Sequence, residues 1–431
     1  MDKRPRGSIG VRIRAFLARE AVLVVAAAAA LASCTLVPPD AAYAHYIDWH
    51  TLALLFCLMT VVAGFRKLGV LDAAGAWLVV RAYTLRAVAT VLVALAFFAS
   101  MLVTNDVALI TFVPLALVVL RRANMEARLC LVATLMTAAA NLGSMLTPVG
   151  NPQNLYLFTA SGMSIREFLQ LMAPYTLASA ALLAAVIALA FREKPTQMAK
   201  SKTVAGSVAV ARNRQQDHRE SNADVNDART FCSPSVPGPS EGERPGGQTK
   251  PFEFTAHPIR FALYLVLFIA CLVAVAGVLD VRALLAVVLL ATALSDTSLL
   301  RRVDWGLLAT FVALFVFVGN MARVPLLHDA LAAAVDGNAL LAAVGASQVI
   351  SNVPAAVLLS GFTAQWSALI VGTNLGGLGT LVASMASLIT FKAVSVGRAG
   401  IRTHYLRTFT LVNVAFLTAL LALAFVFGPT A

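Results

Sequence analysis

The sequence predicts an all-α polytopic membrane protein, and three observations support this fold class. The composition is strongly apolar, apolar stretches recur along the chain, and the second half repeats parts of the first. Of 431 residues, 59% are hydrophobic and 13% are charged, against roughly 45–50% and about 25% in a soluble domain. A soluble core cannot bury that excess. We therefore expect about ten to twelve transmembrane helices in two inverted-topology repeats, with re-entrant hairpins and broken helices.

The apolar stretches indicate helices that enter the bilayer, which takes about 20 residues to cross. They are Ala21–Val37, Leu52–Ala63, Ala87–Val103, Ala127–Leu146, Leu169–Phe191, Phe261–Val278, Leu284–Leu294, Leu307–Val318 and Leu411–Phe427. The first stretch follows a basic leader and is either a signal peptide or a retained helix. Leu31-Ala32-Ser33-Cys34 resembles a lipoprotein cleavage site, but a retained helix fits the internal repeat better.

Positive charge indicates the orientation of these helices. The net charge is +12, and the Lys and Arg residues lie in short segments beside apolar stretches, as cytoplasmic loops predict. We therefore expect a multi-pass protein of the bacterial inner (plasma) membrane with a cytoplasmic amino terminus. The lipid bilayer accounts for the charge pattern without a nucleic-acid partner.

Composition divides the chain into three parts. Residues 1–191 form an N-terminal transmembrane repeat, and residues 257–431 form a linking helix plus an inverted C-terminal transmembrane repeat. Residues 192–256 are rich in Ser, Pro, Gly and mixed charge, which predicts a disordered cytoplasmic linker. A tether is the simpler function for it, and a regulatory role is the alternative.

Two sequence echoes relate the halves. Asp48-Trp49 recurs 256 residues later as Asp304-Trp305, and residues 141–158 recur 233 residues later as residues 374–391. Asp48 is expected outside the membrane and Asp304 inside, so the halves should have opposite orientations, with Phe261–Val278 as the additional crossing between them. Inverted repeats of this kind are typical of secondary transporters.

Four polar clusters interrupt the apolar stretches, and helix-breaking Gly or Pro residues accompany them. Polar groups deep in a bilayer are costly unless they are paired or line a cavity. Opened helices expose carbonyl oxygens that hold cations and helix amino termini that attract anions. Close helix packing is the alternative explanation. The candidate substrate- and ion-binding residues are Thr104, Asn105, Asp106, Asn141, Gly143, Thr147, Gly150, Asn151, Asn154, Ser351, Asn352, Thr373, Asn374, Gly376, Thr380 and Ser384.

Asp106 is the only acidic residue in these clusters. It either carries a proton or helps to hold Na⁺, or it caps a helix over Val107–Leu120. The six histidines show no metal-ligand spacing, and no phosphate-binding G-x-x-x-x-G-K-[ST] motif is present. We therefore expect no enzymatic activity and no cofactor other than Na⁺ as a coupling ion.

Three motifs at the helix breaks are specific enough to compare with known families. They are Thr104-Asn105-Asp106-Val107-Ala108-Leu109, Asn141-Leu142-Gly143 with Thr147-Pro148-Val149-Gly150-Asn151-Pro152-Gln153-Asn154, and Ser347-Gln348-Val349-Ile350-Ser351-Asn352-Val353-Pro354. These motifs resemble those of the ion-transporter superfamily of divalent-anion/sodium symporters, citrate permeases, arsenite permeases and sodium/proton antiporters. The resemblance covers nearly the whole chain and is nearest to a poorly characterised, citrate transporter-like group of bacterial anion permeases.

The resemblance implies two re-entrant hairpins with tips at Thr104-Asn105 and Ser351-Asn352. It further implies a homodimer, an elevator-like movement of one domain, and sodium sites at Asn105, Asn141, Asn352 and Asn374. Dicarboxylate symporters carry Ser-Asn-Thr at both tips, whereas Asp106 and Val353 occupy the third positions here. That difference argues against a dicarboxylate substrate.

The leading hypothesis from the sequence is a secondary active transporter, a permease for a small anion coupled to Na⁺ or H⁺ by symport. The alternatives are a Na⁺/H⁺ antiporter that uses Asp106 and an arsenite-type exporter. A non-transporting scaffold or receptor that displays residues 192–255 belongs to a different class, and the paired polar clusters argue against it.

Overall fold

The structure is a computed structural model that describes residues 20–79, 82, 84–122, 126–191, 258–395 and 399–428. The predicted linker, residues 192–256, and the basic leader before residue 20 lie outside the described residues. The described part of the chain is helical and contains no β-strand. The all-α prediction is therefore confirmed for this part.

Nine α-helices are described on each side of the linker. The first half contains α1 (Ala21–Ser33), α2 (Tyr43–Tyr46), α3 (Trp49–Lys67), α4 (Val70–Val79), α5 (Leu85–Leu102), α6 (Asn105–Arg122), α7 (Glu126–Ser144), α8 (Pro152–Ser161) and α9 (Ile165–Ala190). The second half contains α10 (Pro258–Val275), α11 (Val281–Ser295), a 3-10 helix (Thr297–Arg302), α12 (Trp305–Ala322), α13 (Pro325–Asp336), α14 (Ala339–Ile350), α15 (Asn352–Ser360), α16 (Trp366–Gly376), α17 (Met385–Val394) and α18 (Ala399–Phe427).

Six of the described helices are long and apolar enough to cross a membrane: α3, α5, α9, α10, α12 and α18. A seventh span is formed if α13 and α14, which bend by 106° relative to each other, are taken as one. The protein is therefore a multi-pass membrane protein. The expected ten to twelve crossings must include shorter apolar helices of 10–17 residues, because the Pro and Gly residues at the breaks divide several apolar stretches into half-length helices.

The two halves present their helices in the same order. A long helix (α3 or α12) is followed by a short one, a hairpin (α5–α6 or α14–α15), a helix that ends at a break (α7 or α16), a short helix beyond the break, and a long final helix. Helix α10 has no counterpart among the described residues of the first half, which begin at residue 20. Across the halves, α6 packs on α17 and α15 packs on α8. The inverted orientation itself stays a prediction.

The repeated Asp-Trp sequences at the starts of α3 and α12 make equivalent contacts in the structure. The side chain of Asp48 accepts the backbone N–H of Thr51 at 3.0 Å, and that of Asp304 accepts the N–H of Leu307 at 3.0 Å. In both halves the following tryptophan donates its indole N–H to the carbonyl five residues earlier. Each acid therefore serves as a helix N-cap.

The ends of the same two helices form ion pairs with the opposite half. Lys67, at the end of α3, pairs with Asp296, which caps the 3-10 helix. Arg323, 256 residues after Lys67, pairs with Asp40 at 2.7 Å, and this guanidinium holds the pKa of Asp40 below its usual value. Asp40 in turn lies 256 residues before Asp296. Both pairs connect the halves, at sites that the predicted inverted topology would place on opposite membrane faces.

The first apolar stretch packs inside the protein as α1. The side chain of Asn320 on α12 donates to Ser33 Oγ at 2.9 Å and to Tyr43 Oη at 2.9 Å. Ala26 and Ala30 are buried as well. These contacts are what a retained helix would make, and retention stays a prediction.

Labelling of single cysteines tests the inverted orientation. In a cysteine-free background we expect a membrane-impermeant maleimide to modify Lys67→Cys from the cytoplasmic side only and Arg323→Cys from the external side only. Both side chains are partly exposed, 36% and 44%, and an exposed ion pair contributes only about 0–1 kcal/mol, so both variants should fold. Permeabilised membranes provide the control, in which both cysteines react. Modification of both from the same side would exclude inverted halves.

Candidate functional site

The two hairpin tips contact the two breaks through the same backbone hydrogen bond. The N–H of Asn105, the first residue of α6, donates to Gly150 O at 3.3 Å. The N–H of Asn352, the first residue of α15, donates to Ala383 O at 3.0 Å. Gly150 and Ala383 occupy equivalent positions in the two breaks, so each half joins the start of a hairpin helix to the start of the helix beyond its break.

Two predicted site residues anchor the breaks. Thr147 Oγ1 donates to Met101 O at 2.5 Å, and Thr380 Oγ1 donates to Gln348 O at 3.0 Å. Each threonine thus connects a break to the first arm of the hairpin in its own half. These hydroxyls position the loops, which is a structural function rather than direct contact with a ligand.

The glycines of the clusters allow close approach of backbone segments. A Cβ atom on Gly143 would lie 2.1 Å from Phe97 O, and one on Gly150 would lie 2.1 Å from Ser144 O. A Cβ atom on Gly376 would lie 2.6 Å from Ser347 Oγ. Gly143 and Gly376 are helical residues in the last turns of α7 and α16, directly before the breaks, and their short contacts show that close packing explains these two positions.

Asn141, near the end of α7, joins the halves. Its Oδ1 atom accepts Asn105 Nδ2 at 2.9 Å and Ser384 Oγ at 3.0 Å. Its Nδ2 atom donates to Gly377 O at 3.2 Å. One buried amide therefore connects the tip of the first hairpin with both ends of the second break.

Asn374, the equivalent residue on α16, makes the reciprocal connection. Its Nδ2 atom donates to Asn154 Oδ1 at 2.6 Å and to Ile370 O at 2.8 Å. Asn154 Nδ2 contacts the carbonyl oxygens at the first break at 3.3–3.4 Å. The structure therefore brings Asn105, Asn141, Asn154, Asn374 and Ser384 into one buried network.

The network draws four helix amino termini together. The hydrogen bonds of Asn105, Asn352 and Asn141 connect the starts of α6, α8, α15 and α17. A helix amino terminus carries a partial positive charge of about half a unit and presents free N–H groups. No Lys or Arg side chain takes part in these hydrogen bonds. The network thus joins four helix amino termini in one buried region without a fixed cation.

Several buried polar atoms in this region have no hydrogen-bond partner within the described chain. Three of them are oxygen atoms: Asp106 Oδ1, Asn151 Oδ1 and Asn374 Oδ1. An amide oxygen accepts hydrogen bonds and cannot donate them, and the same is true of a carboxylate oxygen when the acid is ionised. Gln153 Nε2 and Ser387 Oγ are also unpaired. Buried polar atoms are nearly always satisfied in folded proteins, so these atoms are candidates for contact with an ion or with water.

The chain is similar to known membrane proteins, and the family that it matches is consistent with the geometry of the site. Residues 13–368 match the citrate transporter family. This chain belongs to that family. It is 30% identical over 366 residues to the inner membrane protein YbiR of Escherichia coli, covering 83% of each chain. It is 29% identical over 361 residues to the uncharacterized transporter MJ0456 of Methanocaldococcus jannaschii, covering 82% of this chain and 84% of the relative. The resemblance inferred from the motifs is confirmed.

A third relative carries a more specific name. The silicon efflux transporter LSI3 of rice, Oryza sativa subsp. japonica, is 34% identical over 139 residues, which is 32% of this chain and 28% of that protein. Two of these three relatives of this member of the citrate transporter family are thus named as transporters.

The structure contradicts one of the two predicted functions of Asp106. Helix α6 begins at Asn105, not at Val107, so Asp106 lies inside its first turn. Its own N–H is bonded to Asn105 Oδ1 at 2.9 Å, and its carboxylate caps no N–H in the described chain. The capping alternative is wrong because the helix begins at Asn105, so Asp106 lies inside its first turn and not at the N-cap. The functional alternative stays a prediction.

Two other predicted residues, Thr373 and Thr104, stand apart from the network, whereas Ser351 Oγ donates to Ala383 O at 3.4 Å. Thr373 Oγ1 donates to Leu369 O at 2.8 Å within α16, so its hydroxyl is satisfied by its own helix. Thr104 is partly buried at the first tip. Ser351, at the second tip, is the only described non-glycine residue with positive φ, at 76°, a strained conformation that functional sites often contain.

The predicted sodium ligands are only partly available. Asn141 Oδ1 already accepts two hydrogen bonds, whereas Asn374 Oδ1 accepts none. Asp106 Oδ1, on a residue predicted to carry a proton or to help to hold Na⁺, and Asn151 Oδ1 also have no hydrogen-bond partner in the described chain. The set of Asn105, Asn141, Asn352 and Asn374 stays a prediction, and these two oxygens extend it.

Gln348 is a site residue that the sequence reasoning missed. Its Nε2 atom donates to Gly376 O at 2.8 Å and to Leu378 O at 2.9 Å. Its Oε1 atom accepts the N–H of Thr380 at 2.8 Å. The available signal was a glutamine within an otherwise apolar helix. The equivalent residue of the first half is Met101, so only the second break is held in this way.

Proposed function

We propose that this protein is a secondary active transporter that moves a small anion across the bacterial inner membrane together with Na⁺ or H⁺. The observation that carries the proposal is the convergence of four helix amino termini, from both halves, on a region with unpaired buried oxygens. The N–H groups at the helix ends suit an anion. The amide and carboxylate oxygens suit a cation.

Coupling follows from the electrostatics of such a site. An ion without a counter-charge is costly inside a membrane protein, and no lysine or arginine takes part in the described network. An anion and a cation that bind together reduce that cost for each other. Each should therefore raise the affinity for the other by the same factor, which favours the movement of both ions together.

A second candidate is Na⁺/H⁺ antiport, and Asp106 favours it. This carboxylate has an unpaired buried oxygen and can take a proton or a sodium ion in turn. A third candidate is export. The exported substrate is either of the arsenite type or of the kind that the name of one relative, a silicon efflux transporter, describes. The homodimer implied by the resemblance stays a prediction.

Ligand-dependent thermal stability in detergent tests the proposal. We expect one of citrate, succinate, sulfate or phosphate to raise the melting temperature, and to do so more in the presence of Na⁺ or at lower pH. A ligand at about 100 times its dissociation constant stabilises the native state by about 2.7 kcal/mol. If none of these anions has an effect under any cation condition, symport of these substrates is ruled out, and a shift by Na⁺ alone would support antiport.

Two variants test whether the rise in melting temperature comes from binding at the candidate site. Asn151→Ala removes an unpaired oxygen of the binding region and should abolish the shift. Thr373→Val removes a hydroxyl that bonds only within α16 and should retain it.

A further inference from the structure

The helices that follow the two breaks carry different residues at equivalent positions in their first turns. Asn154 lies on α8, and Ser387 lies 233 residues later on α17. Asn154 Nδ2 contacts the carbonyl oxygens of the first break at 3.3–3.4 Å, and its Oδ1 accepts Asn374 Nδ2 at 2.6 Å. Ser387 is fully buried, but its hydroxyl has no hydrogen-bond partner in the described chain. The position that is paired in the first half is thus unpaired in the second.

Gln348 explains why Ser387 is not needed to hold the second break. Gln348 Nε2 donates to Leu378 O at 2.9 Å. Leu378 is equivalent to Met145, whose carbonyl is contacted from α8 in the first half. Met101 takes the place of Gln348 there, and a methionine side chain has no donor. The second break is therefore held from its hairpin, whereas the first is held from the helix beyond it.

Ser387 lies on the side of α17 that faces the binding region. It follows Ser384 by three residues, a spacing that places two side chains on the same face of a helix. Ser384 Oγ donates to Asn141 Oδ1 at 3.0 Å. A serine side chain is shorter than that of asparagine, so Ser387 does not reach the carbonyls of the break as Asn154 does. Its unpaired hydroxyl is therefore directed to the same buried region as Ser384.

Two uncapped helix amino termini accompany this hydroxyl in the second half. No side chain caps the start of α15 or of α17, and the N–H of Asn352 donates to Ala383 O, which joins the two starts. Val353 stands where the first half has Asp106, so no acid offsets their charge. The first N–H groups of a helix lack partners within it, and the partial charge of about half a unit at each terminus attracts an anion.

The first half is better suited to a cation. Asp106 lies in the first turn of α6, where its carboxylate would repel an anion. Asn151 Oδ1 at the first break is an unpaired acceptor, and so is Asn374 Oδ1, whose amide contacts Asn154. Gln153 Nε2, on α8, is an unpaired donor, but an amide can present its oxygen by turning over. The unpaired oxygens of this region thus collect around the first break.

The second break is also the more exposed of the two. Val382 is 46% exposed, whereas Val149, its equivalent in the first break, is 8% exposed. Thr380 is exposed as well, and its equivalent Thr147 is only partly so. A polar side chain on this surface indicates that it is open to water, so an ion can approach Ser387 from the second break.

We propose that the anion binds in the second half, against the hydroxyl of Ser387 and the free N–H groups at the starts of α15 and α17, while the coupling cation binds at the first break. This inference rests on the proposed function and assigns its two ions to different halves. Two helix termini together compensate about one negative charge. The group that fits is therefore a single oxyanion group, such as a carboxylate or a phosphate monoanion, which accepts the hydrogen bond of Ser387.

Titration of the melting temperature in detergent tests Ser387. Citrate, succinate, sulfate and phosphate are each titrated at fixed pH and Na⁺ concentration. In Ser387→Ala we expect the anion concentration that gives half of the maximal rise to increase by about tenfold or more, because a hydrogen bond to a charged group is lost. The melting temperature without an anion should be unchanged or higher, because the change removes an unsatisfied buried hydroxyl.

Two further variants separate binding from structure. Ser179→Ala is the matched control, since Ser179 is also fully buried but donates to Tyr175 O within α9. It should leave the half-saturating anion concentration unchanged. Asn154→Ala should lower the melting temperature without an anion, because the carbonyls of the first break lose their donor.

Two results would overturn the inference. One is an unchanged half-saturating concentration in Ser387→Ala. The other is a loss of stability without an anion that equals the loss in Asn154→Ala, which would make Ser387 a structural residue. Either result leaves the proposed function intact if the wild-type protein responds to an anion. A wild-type protein that responds to none of the four anions would instead refute the proposed function, and this inference with it.

Discussion

Gly143→Ala is expected to abolish transport and to destabilise the protein by about 3 kcal/mol or more. The added Cβ would lie 2.1 Å from Phe97 O and 2.8 Å from Ser100 Oγ. A backbone carbonyl inside α5 cannot turn away, so α5 and α7 must separate. That separation displaces Asn141, two residues earlier on α7, from Asn105 and Ser384. Thermal unfolding in detergent and uptake into proteoliposomes measure the two effects.

Gly376→Ala should have a smaller effect in the equivalent place. There the added Cβ would meet Ser347 Oγ at 2.6 Å and Ser347 Cβ at 2.7 Å, which are less severe contacts than the 2.1 Å between the Cβ on Gly143 and a backbone carbonyl oxygen. Gly345→Ala, on α14, is the neutral control because nothing lies within 4 Å of its added Cβ. Equal stability of Gly143→Ala and Gly345→Ala would contradict the close crossing of α5 and α7.

Asn141→Ala is expected to abolish transport while the protein remains folded. The change leaves three buried groups without their partner, namely Asn105 Nδ2, Ser384 Oγ and Gly377 O. Each unsatisfied buried group costs about 1–3 kcal/mol, and the variant loses the only single side chain that joins the first hairpin tip to the second break in the described network. Uptake into proteoliposomes and the anion-dependent thermal shift should both disappear.

Asn413→Ala is the matched control. Asn413 is also a fully buried asparagine, but its described hydrogen bond goes to Phe409 O within α18. We expect this variant to transport normally. If Asn141→Ala transports as well as Asn413→Ala, the Asn141 network has no function in binding.

The location of the candidate site could be predicted from the sequence because polar residues and helix breakers are conspicuous in apolar stretches. Asn105, Asn141 and Ser384 were recognised in this way, and they are in contact in the structure. The N-caps Asp48 and Asp304 were visible as an echo. These signals are local, so a single sequence contains them.

Contacts that depend on a distant partner could not be predicted. Gly143 looked like a helix breaker, yet it lies in α7 and allows a close crossing with Phe97. Thr373 looked like a ligand, yet its hydroxyl bonds within α16. The pairing of Thr137 with Thr390 joins residues 253 positions apart, and nothing local to either threonine indicates its partner.

The most direct test of the central claim is a measurement of substrate movement under an imposed cation gradient. Purified protein in proteoliposomes is supplied with labelled citrate, succinate, sulfate or phosphate under an inward Na⁺ gradient, an inward H⁺ gradient, or neither. The account predicts that one anion accumulates above its external concentration when a cation gradient is present, and that Asn141→Ala does not accumulate it. Equal uptake with and without both gradients, or uptake of none of these anions, would contradict a cation-coupled anion transporter.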